Sequence, residues 1–148
     1  MMAAEDLLRK ENKAALVKAI RTAEKNTSGE IRVHLEQVCK GDPCLRAAYV
    51  FSKLGMFGTK DRNGVLIYLA LKSHKFAIIG DSGINEKVGA GFWNEVKDGM
   101  AADFRSGDFT GGMSRAVLAV GEKLKAFFPY QKDDVNELPD DISYEDNQ

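Results

Sequence analysis

Hydrophobic positions along the chain follow two different periods. Leu8, Ala15, Leu16, Ala19, Ile20 and Ala23 recur at helical spacing with charges between them, which predicts one amphipathic helix over residues 5–25. Asn26-Thr27-Ser28-Gly29 stops it. From Glu30 to Val38 the period drops to two, with Ile31, Val33 and Leu35 on one side and Arg32, His34 and Glu36 on the other, the pattern of a half-buried strand. Gly41-Asp42-Pro43 offers an N-cap and a first-turn proline to a helix through Leu45, Ala48, Phe51 and Leu54, ended by Gly55. Residues 65–71 are apolar without a break, as in a central strand covered on both faces. A second apolar run, residues 76–79, follows after only four residues, too few for a crossover, so the two runs should pair antiparallel. Asn85 is the expected cap of a third helix with Val88, Phe92, Val96, Met100 and Phe104. Asp108 or Thr110 should cap a fourth with Met113, Val117, Val120, Leu124 and Phe128, which Pro129 ends.

The element order is therefore α-β-α-β-β-α-α. It predicts an α/β fold, a three-layer α/β/α sandwich around a small mixed sheet, with the first two strands parallel. Residues 1–142 should form a single domain, and residues 143–148 a mobile acidic tail. A chain of 148 residues with 44% hydrophobic residues can bury one sizeable core without a disulfide or metal staple. No apolar run approaches the roughly 20 residues that span a bilayer. The N-terminus lacks the basic and apolar regions of a secretory signal, so a cytoplasmic location is expected. The net charge of −1 hides an uneven distribution. Residues 129–148 carry seven acids and one base, a charge of −6, against +5 on the rest. The acidic tail is expected to dock partly on the basic body through Val135, Leu138 and Ile142. The bases are scattered rather than striped, which argues against a nucleic-acid footprint.

In that topology the start of the first strand, the start of the second and the end of the third share one edge of the sheet. Those places carry Ser28-Gly29-Glu30, Asp61-Arg62-Asn63-Gly64 and Gly80-Asp81-Ser82-Gly83. Glu30, Asp61 and Asp81 would converge there with Ser28 and Asn63, an oxygen-rich set of the kind hard divalent cations take. Each segment is equally a good turn sequence, since Asp, Asn and Gly favour turns for local reasons. Gly80-Asp81-Ser82-Gly83 copies the nucleophile motif of chymotrypsin-like proteases, but an α/β chain of this size lacks the double barrel and the placed His and Asp that such a serine needs. Cys39 and Cys44 do not have zinc or thioredoxin spacing and are expected to be free, reduced and dispensable. His34 and His74 have no second ligand at helical or strand spacing and are expected at the surface or half-buried.

The motifs as a set resemble the TPM domain, a family that includes thylakoid acid phosphatase-like and photosystem II repair proteins. The stretches that carry the resemblance are residues 26–33, Arg62-Asn63-Gly64-Val65-Leu66-Ile67, Lys75-Phe76-Ala77-Ile78-Ile79-Gly80-Asp81, Gly83-Ile84-Asn85 and Phe104-Arg105-Ser106-Gly107-Asp108-Phe109 with Gly112. Phe128-Pro129-Tyr130 and residues 134–139 are similar to the short, free-standing bacterial branch. The resemblance implies an α/β/α sandwich, Ca²⁺ or Mg²⁺ held in a crevice at the loop edge and, for plant members, acid phosphatase activity. Carried over residue by residue, it places the crevice at Glu30, Asn63 and Asp81; Asp61 and Ser28 are further candidate ligands from the residue reading. Two functions follow as expectations. One is a divalent-metal module that works through an unidentified protein partner, as a monomer and without nucleic acid or membrane. The other is a metal-assisted acid phosphatase in which Asp81 attacks or orients water and Arg62 clamps phosphate.

Overall fold

The computed structural model describes residues 4–130 and 142–148. A short 3-10 turn, Ala4–Leu8, leads into α1 (Lys10–Glu24), so the expected single helix is broken near Arg9, whose backbone is extended. β1 (Glu30–Glu36), α2 (Pro43–Lys53), a 3-10 turn at Met56–Gly58, β2 (Gly64–Ala70) and β3 (Lys75–Gly80) follow. The chain then forms α3 (Ser82–Arg105), α4 (Phe109–Phe127) and β4 (Ile142–Glu145). The sheet order is β3-β2-β1-β4. β1 and β2 are parallel, and β2 and β3 form the expected antiparallel hairpin.

Strand alternation sorts the core into two layers. Ile31, Val33 and Leu35 of β1 with Val65, Ile67 and Leu69 of β2 meet α1, α3 and α4 through Leu16, Ile20, Ile84, Val117, Val120 and Leu124. On the opposite face Leu66, Tyr68 and Ala70 pack with Ala47, Val50 and Phe51 of α2. The helices therefore cover both faces, as the sequence predicts. The helical phase of α2 differs from expectation: Ala47, Val50 and Phe51 face inward, while Leu45 is 72% exposed.

Capping residues position the helices. Asp42 caps α2 by accepting from the Cys44 amide, and Asp108 caps α4 by accepting from the Gly111 amide. For α3 the cap is Asp81 rather than Asn85, and the helix begins directly after β3. Asn85 instead donates to the Gly80 carbonyl and accepts from Trp93 Nε1, tying the first turns of α3 to the strand end. Gly89, at φ +75°, breaks the helical run of α3, a conformation glycine adopts without strain.

The second departure is at the C-terminus. Residues 143–148, expected as a tail outside the domain, instead run on from Ile142 into the sheet. β4 pairs parallel with β1 from Val33↔Ile142 to Glu36↔Glu145. Asn147 continues the contact, accepting from the amides of Gln37 and Val38 and donating to the Val38 carbonyl. The edge of β1 would otherwise expose a row of unpaired backbone groups, which β4 satisfies. The proposed docking through Val135 and Leu138 lies outside the described residues. No described helix is long and apolar enough to cross a membrane.

Candidate functional site at the loop edge

The parallel register sets Glu30 opposite Gly64, and the hairpin register sets Val65 opposite Gly80. Ser28, Asn63 and Asp81 therefore reach one end of the sheet together, as the topology predicts. Asn63 Nδ2 donates to Ser28 Oγ at 3.2 Å, and the Glu30 amide donates to the Asn63 carbonyl at 3.5 Å. The Asp81 amide donates to the Gly64 carbonyl, which fixes that aspartate beside the start of β2.

Burial at this end is selective. Glu30, Asn63 and Asp81 are all buried, Ser28 is half-buried and Asp61 is exposed. Asn63 is 1% exposed; its backbone amide donates to Thr59 Oγ1, yet its Oδ1 is buried without a hydrogen-bond partner among the described residues. A buried polar atom left unpaired costs about 1–3 kcal/mol and calls for an explanation.

Asp81 has a second role that its residue type alone does not reveal. Arg62 grips its carboxylate with both arms of the guanidinium, Nε to Oδ2 at 2.7 Å and Nη2 to Oδ1 at 2.9 Å. Oδ1 also accepts from the Ser82 amide, so three of the roughly four acceptor positions of this carboxylate are filled. The Arg62 guanidinium in turn lies over the Phe57 ring at 5.2 Å. The loop carrying Asp61 and Arg62 lies against the first turn of α3, where the Gly83 amide donates to the Arg62 carbonyl. A side chain at Gly83 would run into the Asp61 carbonyl, so only glycine permits that approach. Glu30, Asp61 and Asp81 therefore share the edge, but they do not close into a tight three-carboxylate cluster: the one group of three Asp, Glu, His or Cys side chains with ligand atoms within 4.8 Å, among the described residues, lies elsewhere.

That group is His34, Glu36 and Glu145. His34 and Glu36, expected on the polar face of a half-buried strand, are both buried: Glu36 is fully buried and His34 is 6% exposed. The physical reason is that this face of β1 turns toward α2 and Tyr68, while β4 covers the edge. Arg46 of α2 donates to both Glu36 oxygens at 2.8 Å, and His34 Nε2 lies 3.0 Å from Glu36 Oε1. Tyr68 donates its hydroxyl to the same carboxylate. Arg46 also reaches Glu145 at 2.7 Å, and His34 Nδ1 pairs with Ser143 Oγ at 2.6 Å, so the network clamps β4 to β1. Burial alone would raise the Glu36 pKa, but hydrogen bonds from Arg46, Tyr68 and His34 outweigh it and hold the carboxyl at about 2. Burial lowers the His34 pKa despite the neighbouring Glu36 and Glu145. With its lone pairs taken by protein donors, Glu36 has no coordination to give a metal.

Both cysteines are free, as expected. Cys44 is exposed, but Cys39 is 4% exposed and packs in the layer under α2, which corrects its expected place at a dispensable loop end.

Comparison with known proteins places this arrangement. The NMR structure of BA42 protein from the psychrophilic bacterium Bizionia argentinensis is 46% identical, with a TM-score of 0.86 over 93% of this chain and 95% of that one. Two N-terminal domains share the fold at lower identity. One is from a P. gingivalis protein (22% identity, TM-score 0.69, 84% of this chain and 82% of that one). The other is from the cg2496 protein of Corynebacterium glutamicum (13% identity, TM-score 0.65, 88% and 81%). No curated protein matches the chain. The TPM domain profile matches residues 1–123, a stretch that ends within α4, ahead of β4. The chain belongs to the TPM domain family.

Proposed function

We propose that the protein is a divalent-cation-binding module whose ion is held at the loop edge by Glu30, Asn63 and Ser28, with Asp81 lending its one remaining acceptor position and Asp61 approaching from the solvent side. The observation that carries this reading is the buried, unpartnered Asn63 Oδ1 beside Ser28, at the edge shared with the buried carboxylates Glu30 and Asp81. A cation would supply the missing partner of that oxygen and offset the carboxylate charge. The donor set is entirely oxygen, which suits a hard ion, and its origin in separate loops favours Ca²⁺, with its flexible coordination, over octahedral Mg²⁺. The ion would order the loops, and a protein partner would read the ordered surface. The phosphatase alternative has less support, because Arg62, its phosphate clamp, already spends Nε and Nη2 on Asp81.

The experiment is a Ca²⁺ and Mg²⁺ titration followed by amide NMR and thermal melting against EDTA. Saturable shifts should centre on residues 28–30, 62–64 and 81, and at a free-ion concentration a hundredfold above Kd the native state should gain about 2.7 kcal/mol. Glu30→Gln should abolish both effects. Absence of a melting shift in the wild type, or an equal shift in Glu30→Gln, would overturn the reading. Turnover of a phosphate ester that is lost in Asp81→Asn with cation binding retained would put the phosphatase first.

A further inference from the structure

The opposite end of the sheet, where β1 and β2 run out, carries a different feature. The turn from β2 to β3 and the junction between α3 and α4 enclose a cavity of about 270 Å³ lined by His74, Phe76, Ala101, Phe104, Arg105 and Phe109. The carboxyl ends of parallel strands are where open α/β sheets ordinarily take small ligands. Three of the lining residues belong to a stretch that the cation site does not use, the Phe104, Arg105 and Phe109 of Phe104-Arg105-Ser106-Gly107-Asp108-Phe109.

The walls are aromatic and offset. Phe76 and Phe104 meet edge to face at 5.2 Å, Phe104 and Phe109 stack at 5.0 Å, and the His74 ring lies 5.9 Å from Phe109. Phe109 is 6% exposed, whereas Phe76 and Phe104 are half-buried. His74 holds a left-handed backbone at φ +54°, uncommon for a residue other than glycine, in the turn that lines the cavity. The lining contains two basic side chains and no carboxylate.

Arg105 supplies the discriminating chemistry. Asp103 and Asp108 flank it in sequence, but both are taken by Arg115, at 3.0 and 2.7 Å. The Arg105 side chain makes no hydrogen bond or ion pair among the described residues, and it lines the rim of the phenylalanine-walled cavity. An apolar pocket with a few convergent polar groups is the usual anatomy of a small-molecule site. A guanidinium fork matches a carboxylate in bidentate geometry. At about 270 Å³ the space suits one ring and a short chain rather than a drug-sized molecule.

We propose that this pocket binds a small aromatic carboxylate, its ring set among Phe76, Phe104 and Phe109 and its carboxylate on Arg105 with His74 beside it. The site is separate from the loop edge and does not depend on the cation reading.

The test is NMR titration of the full chain with 3-phenylpropionate, its neutral amide 3-phenylpropanamide, and propionate. The aromatic acid should give saturable shifts confined to residues 73–76 and 101–109. The amide should bind at least about tenfold more weakly, because it forfeits the charge-assisted pair. Propionate should not saturate at all. Arg105→Gln, at an exposed position whose loss leaves the core untouched, should weaken the acid about tenfold and leave the amide unchanged. Equal binding of acid and amide, retention of acid binding in Arg105→Gln, shifts centred elsewhere, or no saturable shifts at millimolar ligand would each overturn the proposal.

Discussion

β1 buries a carboxylate at each end, and the two ends of the strand are finished differently. At Glu36 the protein provides every partner itself: two bonds from Arg46, one from Tyr68 and one shared with His34. At the other end Glu30 lies beside Asn63, whose buried Oδ1 the described protein leaves without a partner. The contrast separates a structural network from a candidate site more sharply than counting acids does. A carboxylate saturated by a guanidinium and a hydroxyl is part of the fold, since breaking it strands several buried groups at once. An orphaned acceptor among buried oxygens is a place where a ligand would remove a cost. By that criterion the one close grouping of candidate metal ligands among the described residues, His34 with Glu36 and Glu145, is the wrong place to look for an ion.

The largest effect should come from attacking the saturated end. Glu36→Gln removes one charge of a buried pair and disturbs four bonds, and should cost about 3 kcal/mol by denaturant unfolding, in keeping with buried ion pairs that lose one partner. Glu30→Gln in EDTA should cost far less, because the bond that ties Glu30 to Asn63 is made by its backbone amide, which the substitution keeps. Equal losses from the two substitutions would erase the distinction between the ends.

Removing residues 142–148 tests whether the saturated end depends on β4. The truncation loses the Ser143 and Glu145 contacts to His34 and Arg46 and the three bonds of the Asn147 side chain to the Gln37 and Val38 backbone, beyond the strand pairing itself. At about 0.5–1.5 kcal/mol net per bond, the five side-chain bonds alone set an expected loss of at least about 2.5 kcal/mol, together with self-association through the bared edge of β1. A truncated chain that melts with the full-length protein and stays monomeric would show that β4 adds nothing to the clamp.

Acidification sharpens the same comparison. Both His34 and Glu36 have folded-state pKa values below their ordinary ones, so the unfolded chain binds more protons than the native one as pH falls. Stability contributed by His34 is intact above its ordinary value of 6.5 and is lost as pH falls through its lower native value. The Glu36 contribution is intact above 4.5 and is lost as pH falls toward about 2. Melting temperatures between pH 8 and 3 should therefore decline in two stages, and His34→Gln should flatten the upper one. A profile that is flat from pH 7 to 5 in the wild type contradicts the His34 assignment.

Much of the fold was legible because it rests on patterns with a single physical meaning. The unbroken apolar run at residues 65–71, the four-residue link after it and the caps at Asp42 and Asp108 each led directly to the element observed. The convergence of Ser28, Asn63 and Asp81 followed from topology. What stayed hidden depended on partners distant in sequence. Alternation at Arg32, His34 and Glu36 marks a polar face but does not say whether water or Arg46 meets it. The strand at 142–145 is four residues long with a half-polar pattern, and its pairing depends on an edge that only the folded sheet creates. Leu45 continues the helical spacing of Phe51 and Leu54, although the neighbouring phase through Ala47 and Val50 is the one that fits the sheet. Asp81 is a candidate ligand by residue type, and the structure shows it as the cap of α3 and the partner of Arg62, a pairing that carries no signature in the sequence.

The smallest effects fall on the two thiols, and they test whether position in sequence or burial governs the cost. Cys44 is exposed in the first turn of α2, where its amide, not its sulfur, makes the capping bond to Asp42. Serine can make that same amide bond, so Cys44→Ser should stay within about 0.5 kcal/mol of wild type, as surface substitutions do. Cys39 lies in the layer with Val50, Phe51 and Tyr68, and its thiol contacts the Gly41 carbonyl at 3.5 Å. A hydroxyl there replaces a small hydrophobe with a more polar group in a buried layer, so Cys39→Ser should cost about 1 kcal/mol, within the range for burying a polar group. Denaturant unfolding of the two single variants under reducing conditions separates them. If Cys44→Ser proves the costlier of the two, burial is not what sets the difference, and the packing of α2 against β2 must be redrawn.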